Sequence, residues 1–179
     1  CPACQARIRE LGYENDENAL TYLQGYVTNR VEAFLAEHGR SIIGWDEILD
    51  GKISQSATIM SWRGSDGGIA AAKAGHDAIM TPNSYCYCDY YQSRKIQDEP
   101  FAIGGFVSVE KVYSFEPYTP DMTPEQREHI LGVQANLWTE YIKTPEHLEY
   151  MLLPRMSALS EVQWCTEENR DYHHFLDKM

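Results

Sequence analysis

Apolar positions change their period several times along the chain, and each change marks an element. Leu20, Leu23, Val27, Val31, Phe34 and Leu35 recur at helical spacing. They predict a long helix from about Asp16 to His38, which Gly39 stops. Ser41-Ile42-Ile43-Gly44-Trp45 is a short apolar run bounded by turn residues and reads as a buried strand, as does Thr58-Ile59-Met60-Ser61-Trp62. The pattern then predicts a helix over Gly67 to Ala74, ended by Gly75, and a third strand over His76 to Pro82 with proline at its exit. From Gln92 to Tyr118 the spacing is irregular and is broken by Pro100, Gly104, Gly105 and Pro117, which reads as a long loop with short helical pieces. Thr123-Pro124-Glu125-Gln126 is a helix start, with Thr at the N-cap, Pro first and Gln three past the cap. Ile130 to Leu137 is the fourth strand. Thr144-Pro145-Glu146 opens another helix, and Pro154 divides it from a last one over Arg155 to about Gln163.

Short apolar strands alternating with helices imply an α/β fold of parallel βαβ units. A doubly wound sheet fits this pattern, and so does part of a (β/α)8 TIM barrel. A complete barrel has eight strands and typically about 250 residues. The pattern gives about four strands, so within a barrel the chain is one half, treated as a single partial domain over residues 1–179.

The 43% hydrophobic content over 179 residues is enough for a packed core. A net charge of −12 argues against nucleic acid and against anionic membrane surfaces as partners, since both are bound through clustered Lys and Arg. A neutral substrate is compatible with that charge. The chain opens on Cys1 with neither an initiating Met nor a signal peptide, so it is read as a fragment whose localisation signals, if any, lie upstream.

Five cysteines, Cys1, Cys4, Cys86, Cys88 and Cys165, raise the question of metal or redox chemistry. Cys1-Pro2-Ala3-Cys4 has redox or zinc spacing, and Cys86 with Cys88 could complete four thiolates. C-x-x-C paired with C-x-C is a poor match to zinc-ribbon spacing. Reduced thiols that ligate nothing are expected, with no metal and no cofactor.

The residues with chemical potential lie at the downstream ends of the four strands, the edge where barrels and open α/β sheets bind ligands. Trp45 ends the first strand and Trp62 the second; Tyr85 to Asp89 follow the third, and Trp138 to Glu140 follow the fourth. In extended chain side chains alternate, so Tyr85, Tyr87 and Asp89 are expected on one face and Trp138 with Glu140 on another. One tryptophan at a strand end is ordinary rim packing. Aromatic positions at four successive strand ends, two of them joined to acids, suit a sugar ring whose C–H face packs on an aromatic plane while its hydroxyls donate to carboxylates.

Gly44-Trp45-Asp46-Glu47-Ile48, Ser61-Trp62-Arg63-Gly64, Tyr87-Cys88-Asp89 and Leu137-Trp138-Thr139-Glu140, in that order, resemble the family 20 glycoside hydrolases, the β-N-acetylhexosaminidases. Pro154 to Glu161 with Trp164 resembles that family's final barrel helix, so the resemblance runs from about residue 1 to 165. It implies the C-terminal half of a TIM barrel. It also implies hydrolysis of terminal N-acetylglucosamine or N-acetylgalactosamine with retention, the substrate's own acetamido oxygen acting as nucleophile. By the same resemblance Trp45, Trp62 and Trp138 wall the acetamide pocket and Tyr87 hydrogen-bonds the acetamido oxygen. Asp89 and Glu140 accept from ring hydroxyls. Partners are then N-acetylhexosamine-containing glycans, and the parent enzyme is secreted, periplasmic or lysosomal.

One part of the family pattern is missing. The Asp-Glu pair that polarises the acetamide and protonates the leaving oxygen lies in a His-x-Gly-Gly-Asp-Glu segment, and this sequence has none. Nor is there the Arg that grips the sugar from the first strand. Asp46-Glu47 is an adjacent acid pair, but its setting matches the family's next strand, so it is read as lying at the rim or behind the residues that touch the sugar, and not as the general acid. The chain is therefore expected to start just downstream of the catalytic pair and to be inactive alone. A non-catalytic N-acetylhexosamine-binding module is the alternative, and a thiol redox or zinc protein a third. A half-barrel also exposes two strand edges, which implies a homo-oligomer.

Overall fold

The computed structural model describes Cys1–Met179. It contains helices α1 (Pro2–Glu10) and α2 (Ala19–Glu37), strand β1 (Ile43–Trp45), a 3-10 turn over Asp46–Gly51, and strand β2 (Thr58–Ser61). Next come α3 (Asp66–Lys73), β3 (Ala78–Met80), α4 (Asn83–Cys86), α5 (Val109–Tyr113), α6 (Pro124–Glu128) and β4 (Ile130–Val133). The chain finishes with α7 (Pro145–Leu152), α8 (Arg155–Trp164) and α9 (Tyr172–Lys178). The four strands lie in the order β1-β2-β3-β4, the sequential arrangement of consecutive βα units. β1 pairs with β2 in parallel, with Ile43 opposite Thr58 and Trp45 opposite Met60. This is half of a (β/α)8 barrel in strand count and connectivity.

Two compact units make up the chain. Cys1–Ser61, Asp66–Ile79 and Thr123–Leu131 form the first; Trp62–Ser65, Met80–Met122 and Gly132–Met179 form the second. In the first, α2 passes close to the end of the 3-10 turn. A Cβ on Gly25 would fall 1.5 Å from the Gly51 carbonyl oxygen, so only glycine permits this backbone approach. In the second, Phe115, Val107, Val112, Met151 and Leu159 are buried around the α8 helix.

Helix signals in the sequence carry through to the structure. Thr123 and Gln126 form the full capping box, Thr144 caps α7, and Gly39 ends α2 at a φ of 65°. Other expectations need correction. α1 was not anticipated, because its first turn was read as a thiol motif; Pro2 at its start and the Cys1 cap account for it. α2 starts at Ala19 and not Asp16, since the Asp16 side chain accepts from the Asn18 backbone and holds the chain in a turn. Each strand is shorter than its apolar run: β1 lacks the run's first residues, β2 and β4 its last, and β3 residues at both ends.

The largest correction falls between Tyr85 and Asp89, which are not an extended segment. Behind Pro82 the chain closes into α4, with the Tyr85 and Cys86 backbone N–H groups both donating to the Pro82 carbonyl. Tyr85 is thereby turned away from Tyr87 and Asp89. Its ring packs 4.9 Å from Phe115, with the Lys111 ammonium 3.9 Å from its centroid.

Candidate functional site

The geometry centres on Tyr87, in the second unit. α4 delivers the chain to Tyr87, which forms a parallel bridge with Asn136 beyond the end of β4. Two backbone hydrogen bonds secure it: Cys88 N–H to the Asn136 carbonyl at 2.7 Å, and Asn136 N–H to the Cys86 carbonyl at 2.8 Å. The buried Asn136 side chain donates to the Thr81 hydroxyl at 2.6 Å and accepts from Gln134 at 2.9 Å. Asn136 thus ties the loop after β3 to the loop after β4. Sequence reasoning missed it, although two amides, Gln134 and Asn136, in the otherwise apolar run Ile130 to Leu137 are a visible signal.

The Tyr87 ring is stacked against Trp62, with centroids 6.4 Å apart and planes 29° apart, and tilted against Tyr90 at 5.6 Å. Its phenol receives side-chain hydrogen bonds from Trp138 and Asn136. Burial raises the phenol above its ordinary pKa, the Trp138 and Asn136 donors oppose the rise, and the negative charge of Asp89 adds to it, as does Tyr90 once it too ionises. The phenol therefore keeps its proton near neutral pH. With both contacts donated to its oxygen, its own hydrogen is available to an acceptor.

Asp89 follows two residues later and is 5% exposed. Burial is the main reason its carboxyl is pushed up to about 6; its own backbone hydrogen bond and the charge of Arg155 lower it, and Glu140 raises it. Its Oδ1 is buried with no hydrogen-bond partner. A buried carboxylate oxygen in that state is costly unless a donor reaches it. Glu140 is exposed, and Trp138 leaves 43% of its surface open, so one aromatic face and one carboxylate remain accessible beside the buried pair.

Arg155 holds this loop from beneath. It is the second unit's fully buried cation, at 0% exposure, and every one of its five N–H donors has a backbone carbonyl acceptor. Nη1 donates to Tyr90 at 2.8 Å and Val107 at 3.1 Å, Nη2 to Cys88 at 2.6 Å and to Met151, and Nε to Met151 at 3.2 Å. The Cys88 and Tyr90 carbonyls flank Asp89, so the guanidinium fixes the backbone on both sides of that carboxylate. The resemblance had placed this residue in a barrel helix without a role.

Trp62, Tyr87, Asp89, Trp138 and Glu140 are thus brought together in one unit. Trp45 belongs to the other, where it ends β1 half-buried. Asp46 behind it is 1% exposed at the start of the 3-10 turn, and a Cβ on Gly67 would come 2.8 Å from its Oδ2. Asp46 therefore sits packed at the N-terminal end of α3, a position that favours a carboxylate. The thiols of Cys86 and Cys88 are buried, and desolvation raises both above the ordinary thiol value. Cys86 and Cys88 lie in the second unit, Cys1 and Cys4 in the first.

A sequence profile of the catalytic domain of glycosyl hydrolase family 20 matches residues 1–167. The chain is 42% identical to a β-hexosaminidase of Porphyromonas gingivalis, over all of this chain and 22% of the relative. It is 32% identical to a β-hexosaminidase of Vibrio furnissii, over 89% of this chain and 26% of the relative. Among solved structures, a GH20 exo-β-N-acetylglucosaminidase from Vibrio harveyi in complex with N-acetylglucosamine superposes with a TM-score of 0.84 at 32% identity, covering 99% of this chain and 27% of that one. The chain spans about a quarter of the length of these relatives.

Two measurements probe the loop. Arg155→Met removes all five donors and leaves buried carbonyls unsatisfied, so it should lower unfolding free energy by about 3–5 kcal/mol in urea denaturation. A loss under about 1 kcal/mol would show that the carbonyls find water instead. Asp89 binds its proton more tightly folded (about 6) than unfolded (3.8), so its contribution to stability is full below the lower value and is lost as pH rises to the higher. Asp89→Asn should therefore gain stability relative to wild type on going from about pH 4 to about pH 7.5, read as a difference in denaturation midpoints. A pH-independent difference would contradict the assigned burial effect.

Proposed function

The chain belongs to glycosyl hydrolase family 20, and we propose that it forms the sugar-holding half of a retaining, substrate-assisted β-N-acetylhexosaminidase. The observation that carries this reading is the phenol of Tyr87. Trp138 and Asn136 stand beside its oxygen as donors, which leaves its one hydrogen for a further acceptor. That acceptor is the acetamido oxygen of a terminal N-acetylhexosamine. In substrate-assisted hydrolysis this oxygen attacks the anomeric carbon, and an oriented donor stabilises the charge that develops as the oxazolinium-like intermediate forms. Trp62 and Trp138 flank the phenol and hold the acetamide folded beneath the ring, which keeps the reacting atoms close. The partnerless Oδ1 of Asp89 and the exposed carboxylate of Glu140 take hydrogen bonds from ring hydroxyls.

A general acid is still required to protonate the leaving oxygen, and the family's His-x-Gly-Gly-Asp-Glu segment is not among these residues. Asp46 is packed away against α3 and is not offered as a substitute. The isolated chain is accordingly proposed to be inactive. β1 and β4 are the outer strands of the sheet, and Ile43 and Leu131 on them are 56% and 59% exposed, so self-association through the open edges is part of this proposal.

The 179-residue chain should give no detectable hydrolysis of a chromogenic N-acetylglucosaminide. In a family-length enzyme carrying these residues, Tyr87→Phe should lower kcat by roughly 100-fold or more. Turnover by the isolated chain that disappears in Glu47→Gln would overturn the assignment of the acid pair. Roughly millimolar or tighter N-acetylglucosamine binding by the isolated chain, lost in Trp138→Ala in an NMR titration, would favour a stand-alone sugar-binding module instead. Light scattering should show mass rising with protein concentration. A constant monomer mass would remove the self-association.

A further inference from the structure

The thiols of Cys1 and Cys4 play no part in the proposed sugar site. Cys1 is the N-cap of α1 and Cys4 lies in its first turn, so their side chains share one face of the helix. Their Sγ atoms are 3.2 Å apart, and Cys1 Sγ also accepts from the Cys4 backbone N–H at 3.4 Å. A disulfide bond is about 2.05 Å long, so closing one here requires a sulfur movement of about 1 Å. Cys1 is exposed and Cys4 partly exposed, in contrast to the buried Cys86 and Cys88. Structural zinc takes four ligands, and these two sulfurs belong to no group of three or more His, Cys, Asp or Glu able to hold a metal.

We propose that Cys1 and Cys4 form a reversible dithiol–disulfide couple, a modification site whose reaction partner is a low-molecular-weight disulfide. The thiolate of Cys1, the more exposed of the two, attacks one sulfur of that oxidant. The oxidant's S–S bond breaks, a Cys1 mixed disulfide forms, and one small thiol leaves with a proton. Cys4 then attacks the Cys1 sulfur and expels the second small thiol. Two protons and two electrons have passed from the protein to the oxidant, one S–S bond has formed and one has broken. The loop closed is only four residues long, so it restricts the unfolded chain little. An exposed bridge of that kind belongs to the labile class, suited to switching more than to stapling.

Oxidised glutathione tests this on the 179-residue chain, read by intact mass, alkylation and peptide mapping. The chain should lose the mass of two hydrogen atoms, resist alkylation at both positions, yield a Cys1–Cys4 bridged peptide, and recover with dithiothreitol. Cys4→Ser lacks the resolving thiol and should retain glutathione on Cys1, releasing it at least roughly tenfold more slowly than wild type. Three results overturn the proposal: glutathione held on wild-type Cys1 as long as on the variant, both thiols still alkylated after oxidation, or a bridge mapping to Cys165.

Discussion

A single buried guanidinium organises the second unit. Bringing the Arg155 cation out of water carries a desolvation cost of several kcal/mol. No carboxylate accepts a hydrogen bond from it; backbone carbonyls of Cys88, Tyr90, Val107 and Met151 take all of its donors. Such carbonyls would otherwise need water or a strand neighbour, and the loop after α4 has few regular partners. The charge and the irregular backbone each solve the other's problem. Lysine could not replace it, since three donors on a compact ammonium cannot span four carbonyls.

From that anchor the site's electrostatics follow. With the carbonyls on either side of Asp89 pinned, its carboxyl is kept inside, where burial outweighs the attraction of Arg155 and raises its proton affinity. The same desolvation keeps the Tyr87 phenol protonated. A carboxylate oxygen without a hydrogen-bond partner and a protonated phenol thus stand two residues apart. Groups left unsatisfied in this way are a mark of binding more than of stability.

Much of this was readable in the sequence, and the failures have two causes. Helix starts at Thr123 and Thr144 depend on a few adjacent residues, so local chemistry fixes them. The strands and their parallel order follow from apolar runs between turn residues. The alternation assumed from Tyr85 to Asp89 failed because Pro82 starts a helical turn, which changes the direction of Tyr85 while leaving Tyr87 and Asp89 buried. Arg155 and Asn136 were passed over for a different reason. Their work is done with backbone carbonyls and an amide bridge to segments about 50 to 70 residues away, which no spacing rule reports.

The Asn136 bridge has a mechanical consequence. The five residues from Asn136 to Glu140 carry the amide that grips Tyr87, the indole that bonds its phenol, and the outer carboxylate. Amide, indole and carboxylate therefore sit on one short loop beyond the end of β4. A shift of the Asn136 bridge would be felt at the phenol, and about 1 Å is a large displacement for a packed site. The geometry around the phenol is then limited by the stiffness of one amide bridge, whatever the quality of the aromatic packing around it.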